Sequence, residues 1–254
     1  MGLLDSIFGG DKPTQKNIEK LVVRVKERYA QPEYRREAME RLLGWLTPES
    51  IAGALARFTV VAQSPHWDEE AKKWLVDELA QRGEPARAAL KVFLAKENHI
   101  AFAAKALQRL VDHDTYVKDL IEALHARRPE DYRSTQGKSE LVFCISTDND
   151  PRGAEALLPY LDDHGDDVQC SCVDALERMW PKIEATHEPA TKKLQAMVAD
   201  DGRSARVLRH TAAAMSKLNV AIDATKPLAP AVAEDYVVKD GKLARASQPA
   251  AANV

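Results

Sequence analysis

Aromatic residues make up only 6 % of this 254-residue chain, and glycine fills just 11 positions. Together with long Ala-, Leu- and charge-rich stretches, that scarcity reads as an all-helical protein. Cysteine is nearly absent: three residues, an odd number, make no disulfide framework and suit a reducing compartment. No apolar run approaches the roughly 20 residues that a membrane span needs. The first residues have neither the apolar stretch nor the cleavage site of a secretory signal, so the cytoplasm is the expected location. Neither sign of charge dominates, since 36 basic against 39 acidic residues leave −3. That balance argues against a protein that coats nucleic acid. The 45 % hydrophobic fraction excludes wholesale disorder.

What the chain does contain is a recurring word. It reads Ala38-Met39-Glu40-Arg41-Leu42, then Ala106-Leu107-Gln108-Arg109-Leu110, Ala175-Leu176-Glu177-Arg178-Met179 and Ala214-Met215-Ser216-Lys217-Leu218. Ala71 to Leu75 is a looser copy, and Ser139 to Phe143 falls where a further one is expected. The spacing of roughly 33–39 residues lies in the range of stacked helical repeats. A small residue before a large apolar one admits a neighbouring helix, so the word marks the packed face of the second helix of each pair. Thr14, Thr47, Asn98, Asp114 and Asp150 stand where N-caps are expected, and Pro32, Pro48, Pro85 and Pro151 where first helical residues are. Gly83 and Gly165 fit helix ends. Twelve helices follow, at about 14–30, 33–46, 48–62, 67–82, 85–96, 99–112, 115–127, 134–147, 151–163, 167–180, 188–199 and 204–219.

From Ala154 to Met179 the chain resembles the HEAT-repeat family. Leu157-Leu158-Pro159-Tyr160-Leu161 closes a first helix there, and Asp166-Asp167-Val168 opens the second, with Gln169 where the family usually has Arg. The resemblance covers about residues 14–219. It implies an all-α, right-handed α-solenoid of about six antiparallel helix pairs, whose concave surface takes a protein or peptide. On this reading the solenoid spans 11–222, between an amphipathic segment at 1–10 and a Pro- and Ala-rich tail at 223–254 with a short hairpin near 235–244. In that tail, Asp240-Gly241 between short apolar runs is the hairpin signal.

No phosphate loop, dinucleotide glycine motif, HExxH or Gly-x-Ser-x-Gly is present. Cys170 and Cys172 lie about 200° apart on a helix and do not share a metal. No cofactor and no metal site is expected, and an enzyme is not. The catalytic alternative comes from the same resemblance, because HEAT-like DNA glycosylases combine a basic face, an aromatic cleft and an Asp. Trp45, Trp67, Trp74 and Trp180 with Asp174 or Asp77 are its candidates. Seven acids and no base between Arg152 and Arg178 oppose it.

Charge is distributed unevenly. Residues 12–41 hold nine basic against five acidic side chains, with Lys12, Lys16, Lys20, Arg24 and Arg28 recurring every four positions. Residues 202–217 carry Arg203, Arg206, Arg209 and Lys217 without an acid. The expected function is therefore a non-catalytic scaffold or adaptor. Its contacts would be Asp166, Asp167, Gln169, Asp174 and Glu177, facing a basic segment of a partner. The alternative is peripheral attachment to the inner face of a membrane through Leu3, Leu4, Ile7 and Phe8, aided by Lys16, Lys20 and Arg24.

Overall fold

Prolines and short polar side chains mark the helix starts in this chain, and the computed structural model, which describes residues 12–223 and 225–246, follows them. The protein is all-α apart from one hairpin, and each predicted span contains a helix. In the first half these are α1 (Gln15–Lys26), α2 (Pro32–Gly44), α3 (Pro48–Leu55), α4 (Pro65–Leu79), α5 (Gly83–Lys96), α6 (Ala101–Leu110) and α7 (His113–His125). The second half holds α8 (Thr135–Asp148), α9 (Pro151–Leu157), α10 (Asp166–Met179), α11 (His187–Ala199), α12 (Ala205–Leu218) and the single turn α13 (Pro230–Ala233). Short 3₁₀ turns, Ala56–Thr59 and Leu158–Asp162, extend α3 and α9. Among the described residues no helix is long and apolar enough to cross a membrane.

Thr14 accepts from the Asn17 N–H at 3.3 Å, Thr47 forms a reciprocal box with Ser50, and Asp150 accepts from the Arg152 N–H at 3.0 Å. Other expected boundaries shift by a few residues. Asp112, not Asp114, caps α7, accepting from the Thr115 N–H at 3.0 Å. Helix α6 begins after Ile100, two residues past Asn98. Gly83 opens α5 at φ +59°, which leaves Pro85 third in the helix. Gly165 precedes α10 as its N-cap instead of ending a helix. Tyr29, inside the expected first span of 14–30, lies beyond the helix and is exposed.

The chain divides into two compact units, Met1–Ala126 and Arg127–Val254. In the second unit, Tyr160 donates to the Arg127 carbonyl at 2.9 Å, and the His164 N–H to that of Pro129 at 3.0 Å. Within the first unit, α1 packs on α3, α3 on α5 and α5 on α7, while α2 packs on α4 and α4 on α6. Within the second, α8 packs on α10 and α10 on α12. The recurring word lies in α2, α4, α6, α8, α10 and α12 and contributes core residues there. Its first two positions and its fifth are buried at Ala38, Met39 and Leu42, and again at Ala175, Leu176 and Met179. In α8 the buried set is Leu141, Val142 and Ile145, so the copy there is Leu141–Ile145, two residues past the expected Ser139–Phe143, whose Phe143 is exposed.

Close approach has one sharp requirement. A Cβ on Gly153 in α9 would come within 2.4 Å of Ile145 Cγ2, a β-branch that cannot swing aside. Gly153→Ala is expected to cost about 1–3 kcal/mol of second-unit stability. Denaturant titration should find the double variant with Ile145→Ala less destabilised than the sum of the singles.

Within the tail lies a hairpin, β1 (Tyr236–Lys239) against β2 (Lys242–Arg245), turned at Asp240 and Gly241, both with positive φ. That pair of left-handed residues suits the twist of antiparallel strands. Tyr236 and Leu243 are buried, and β2 packs on α12.

Candidate functional site

Three helices of the second unit, α8, α10 and α12, enclose an open cleft of about 570 Å³. Thr135, Gln136 and Ser139 line it from the first turn of α8 and the residue after, Asp167, Cys170, Ser171 and Asp174 from α10, and Arg206 and His210 from α12. The spacing is helical on both sides: 167, 170, 171 and 174 share one face, as do 206 and 210. Charges cross the cleft in register. Arg206 Nη1 donates to Asp167 Oδ1 at 2.6 Å, and His210 Nε2 lies 2.7 Å from Asp174 Oδ1. The Asp167 bond raises the affinity of the Arg206 guanidinium for its proton. Burial pushes the Cys170 thiol above its ordinary range, and Cys172, fully buried, further still, so neither is an activated nucleophile.

The acidic segment expected to face a partner thus proves to be largely matched within the unit. Besides the two pairs in the cleft, Glu177 pairs with Lys217, and Asp162 with Lys193 and Arg203. Burial would raise Asp162, but the hydrogen bonds from Lys193 and Arg203 outweigh it and leave the carboxyl below the usual range. Asp166, half-buried in the first turn of α10, has no ion-pair partner among the described residues. The expected surface contact at Gln169 is corrected: it is 8 % exposed, and its amide is used internally. Gln169 Nε2 donates to the Asp163 carbonyl at 2.7 Å, and Oε1 accepts from Arg203 Nη1 at 2.6 Å. The Gln169 amide thus links the connection before α10 to Arg203 ahead of α12.

Gln169 belongs to a wider set that the sequence reading passed over. The fourth residue of α2, α4, α8 and α10 is buried and polar: Arg35, Asp68, Lys138 and Gln169. Each bonds the connection that precedes its helix. Arg35 donates to the carbonyls of Glu27 and Ala30, Asp68 accepts from the Ala62 N–H at 2.8 Å, and Lys138 donates to the carbonyls of Arg128 and Pro129. Asp68 also neutralises two buried cations, Arg57 and Lys72. Lys72 occupies the second position of the looser word, where other copies have Met39, Leu107 or Leu176. Lys138 and Asp163 form a pair with no exposed side-chain surface on either partner. For Arg35, Asp68 and Lys138 the signal was present: a charged residue three places before the buried word, in phase with its apolar stripe.

In the first unit, Lys16 and Lys20 are exposed on α1. Arg24 is engaged, donating to Glu37 at 3.0 Å and stacking on Tyr34 at 4.0 Å. Leu3, Leu4, Ile7 and Phe8 lie outside the described residues. The structure does not gather the four tryptophans: Trp67 and Trp74 share one small cleft in the first unit, while Trp180 stacks on His187 at 4.2 Å in the second. No group of three or more His, Cys, Asp or Glu able to hold a metal occurs among the described residues. Comparison with protein-family models, with curated proteins and with solved structures finds no match.

Proposed function

We propose that this chain is a non-catalytic scaffold of stacked HEAT-like helix pairs, and that the second-unit cleft takes a basic segment of a protein partner. Two observations support the repeat reading. In the first unit helices two apart in the chain pack on each other in two rows, and in the second α8, α10 and α12 form one such row. Side-chain links also recur near one period, as in Lys193 to Asp162 at 31 residues, Arg87 to Asp119 at 32, and Arg206 to Asp167 at 39.

The partner reading rests on one observation, that Asp167 and Asp174 wall the cleft and remain more than half exposed while paired. Exposed ion pairs contribute at most about 1 kcal/mol. An arriving lysine or arginine therefore exchanges for Arg206 or His210 at little cost, and electrostatic attraction sets the rate and selectivity of its arrival. The hydroxyls of Thr135, Ser139 and Ser171 and the amide of Gln136 supply neutral hydrogen-bonding groups around a bound main chain.

The test compares affinity capture from native lysate by the intact chain and by the Asp166→Lys, Asp167→Lys, Asp174→Lys triple variant, matched by circular dichroism. The expected result is loss of a stoichiometric partner that survives moderate salt. Undiminished recovery of every specific partner would remove the cleft from the proposal.

A further inference from the structure

A second cleft, in the first unit, has different chemistry. Trp67 and Trp74 stand two helical turns apart on α4, with Ala71 between them as the floor. Helix α2 closes the other side with Pro32, Glu33, Arg36 and Met39, and Glu70 completes the rim. The volume is about 200 Å³, room for one large side chain and below the usual range for small-molecule pockets. Helix α4 exposes Trp67 because the stripe it buries is Asp68, Lys72, Leu75, Val76 and Leu79, which leaves 67 on the outer face.

The two rings are not equivalent. Over Trp74 lies the guanidinium of Arg36, 4.5 Å from the ring centroid and held by Glu40 at 3.1 Å. Trp67 is 49 % exposed, and no cation stacks on it among the described residues. Its ring neighbour is His66, tilted at 5.2 Å. Glu33 has no ion-pair partner among the described residues, and Glu70 meets only the exposed His66, at 3.5 Å. An open indole face beside two carboxylates is what a guanidinium seeks, since the ring quadrupole and the acids attract it together.

We infer that the Trp67–Ala71–Trp74 cleft is a recognition pocket for an arginine side chain of a protein partner, stacked on Trp67 and bonded by Glu33 and Glu70. Arg36 on Trp74 shows within the same cleft the geometry such a side chain takes. The pocket lies entirely within the first unit and does not depend on the reading of the second-unit cleft.

The probe is N-acetyl-arginine amide, followed through the indole N–H signals of the four tryptophans in the full chain, with N-acetyl-citrulline amide as the neutral isostere. The signals of Trp67 and Trp74 are expected to move in a saturable way at millimolar probe, those of Trp45 and Trp180 to stay, and citrulline to leave all four in place. Glu33→Gln with Glu70→Gln is expected to weaken binding by about fivefold. Arg36→Ala, which removes the internal competitor from an exposed position, is expected to strengthen it. Because these positions are exposed, the folded spectrum serves as the internal control. Equal shifts with citrulline, shifts spread over all four indoles, or a still Trp67 at saturating probe would each overturn the proposal.

Discussion

Asp68→Asn is expected to destabilise the first unit by about 3–5 kcal/mol, a large share of what holds a domain folded. The reason is an imbalance of charge inside the protein. Arg57 is fully buried and Lys72 nearly so, and the Asp68 carboxylate pairs with both. Burial lowers the Arg57 pKa, with Asp68 acting against it. Removing that carboxylate strands two cations in a low-dielectric interior, a cost that no rearrangement of a packed core recovers. The same group gives the unit its acid sensitivity. Burial would raise Asp68, but hydrogen bonds from Lys72 and the Ala62 N–H and the charge of Arg57 outweigh it, leaving the carboxyl below its ordinary value. A depressed carboxylate contributes stability above the unfolded-state value of about 4 and loses it as pH falls through the lower folded value. Unfolding followed by tryptophan fluorescence in a Trp180→Phe background should thus show first-unit stability falling below about pH 4. Part of that slope should vanish in Asp68→Asn, with the remainder carried by Asp119, where burial is outweighed by bonds from Arg87 and Lys91, and by the depressed Asp112 and Glu69. A variant as stable as the parent at neutral pH would show that Arg57 and Lys72 do not need this counter-charge.

Lys138→Met is expected to cost the second unit a similar amount, about 3–5 kcal/mol, while the double variant with Asp163→Leu regains most of it. Breaking one half of the pair leaves Asp163 buried, with only the Gly165 N–H, at 2.9 Å, as a remaining donor to its carboxylate. Replacing both halves removes the buried charges altogether. Burial raises the Asp163 carboxyl against the pull of Lys138, so its sign is opposite to that of Asp68. Its contribution is fully present below the unfolded value and is lost as pH rises through the raised folded one. The single and double variants, compared by urea denaturation near neutral pH, decide the matter. A double variant no better than the single would mean that Lys138 acts through the Arg128 and Pro129 carbonyls, not through Asp163.

These charges also mark the limit of what could be read in advance. The helices were legible because apolar periodicity and capping residues are local signals, and Pro32, Thr47 and Asp150 stand where helices begin. The phase of the copy in α8 was not, because Lys138 and Cys144 blur the apolar stripe there and Phe143 imitates its end. For the candidate site, the helical spacing of Asp167 and Asp174 placed both on one face, now a wall of the cleft. Their pairing with Arg206 and His210 joins residues 39 and 36 positions apart, and only the packing of α10 on α12 brings them together. Composition suggested alternating basic and acidic stretches facing solvent. In the fold, the acids of α10 and the bases of α12 largely satisfy one another.

The buried fourth residues have a consequence for assembly. Helices that share one word are alike in sequence, and alike helices invite one to settle in the place of another. Here the copies carry different labels: Arg35, Asp68, Lys138 and Gln169 present donors in one turn and a carboxylate in the next. If α4 took the place of α8, Asp68 would point its negative charge at the Arg128 and Pro129 carbonyls that Lys138 now serves. The connections before α2, α8 and α10 all offer carbonyls and repel a carboxylate, so the fourth position sets α4 apart from its three look-alikes.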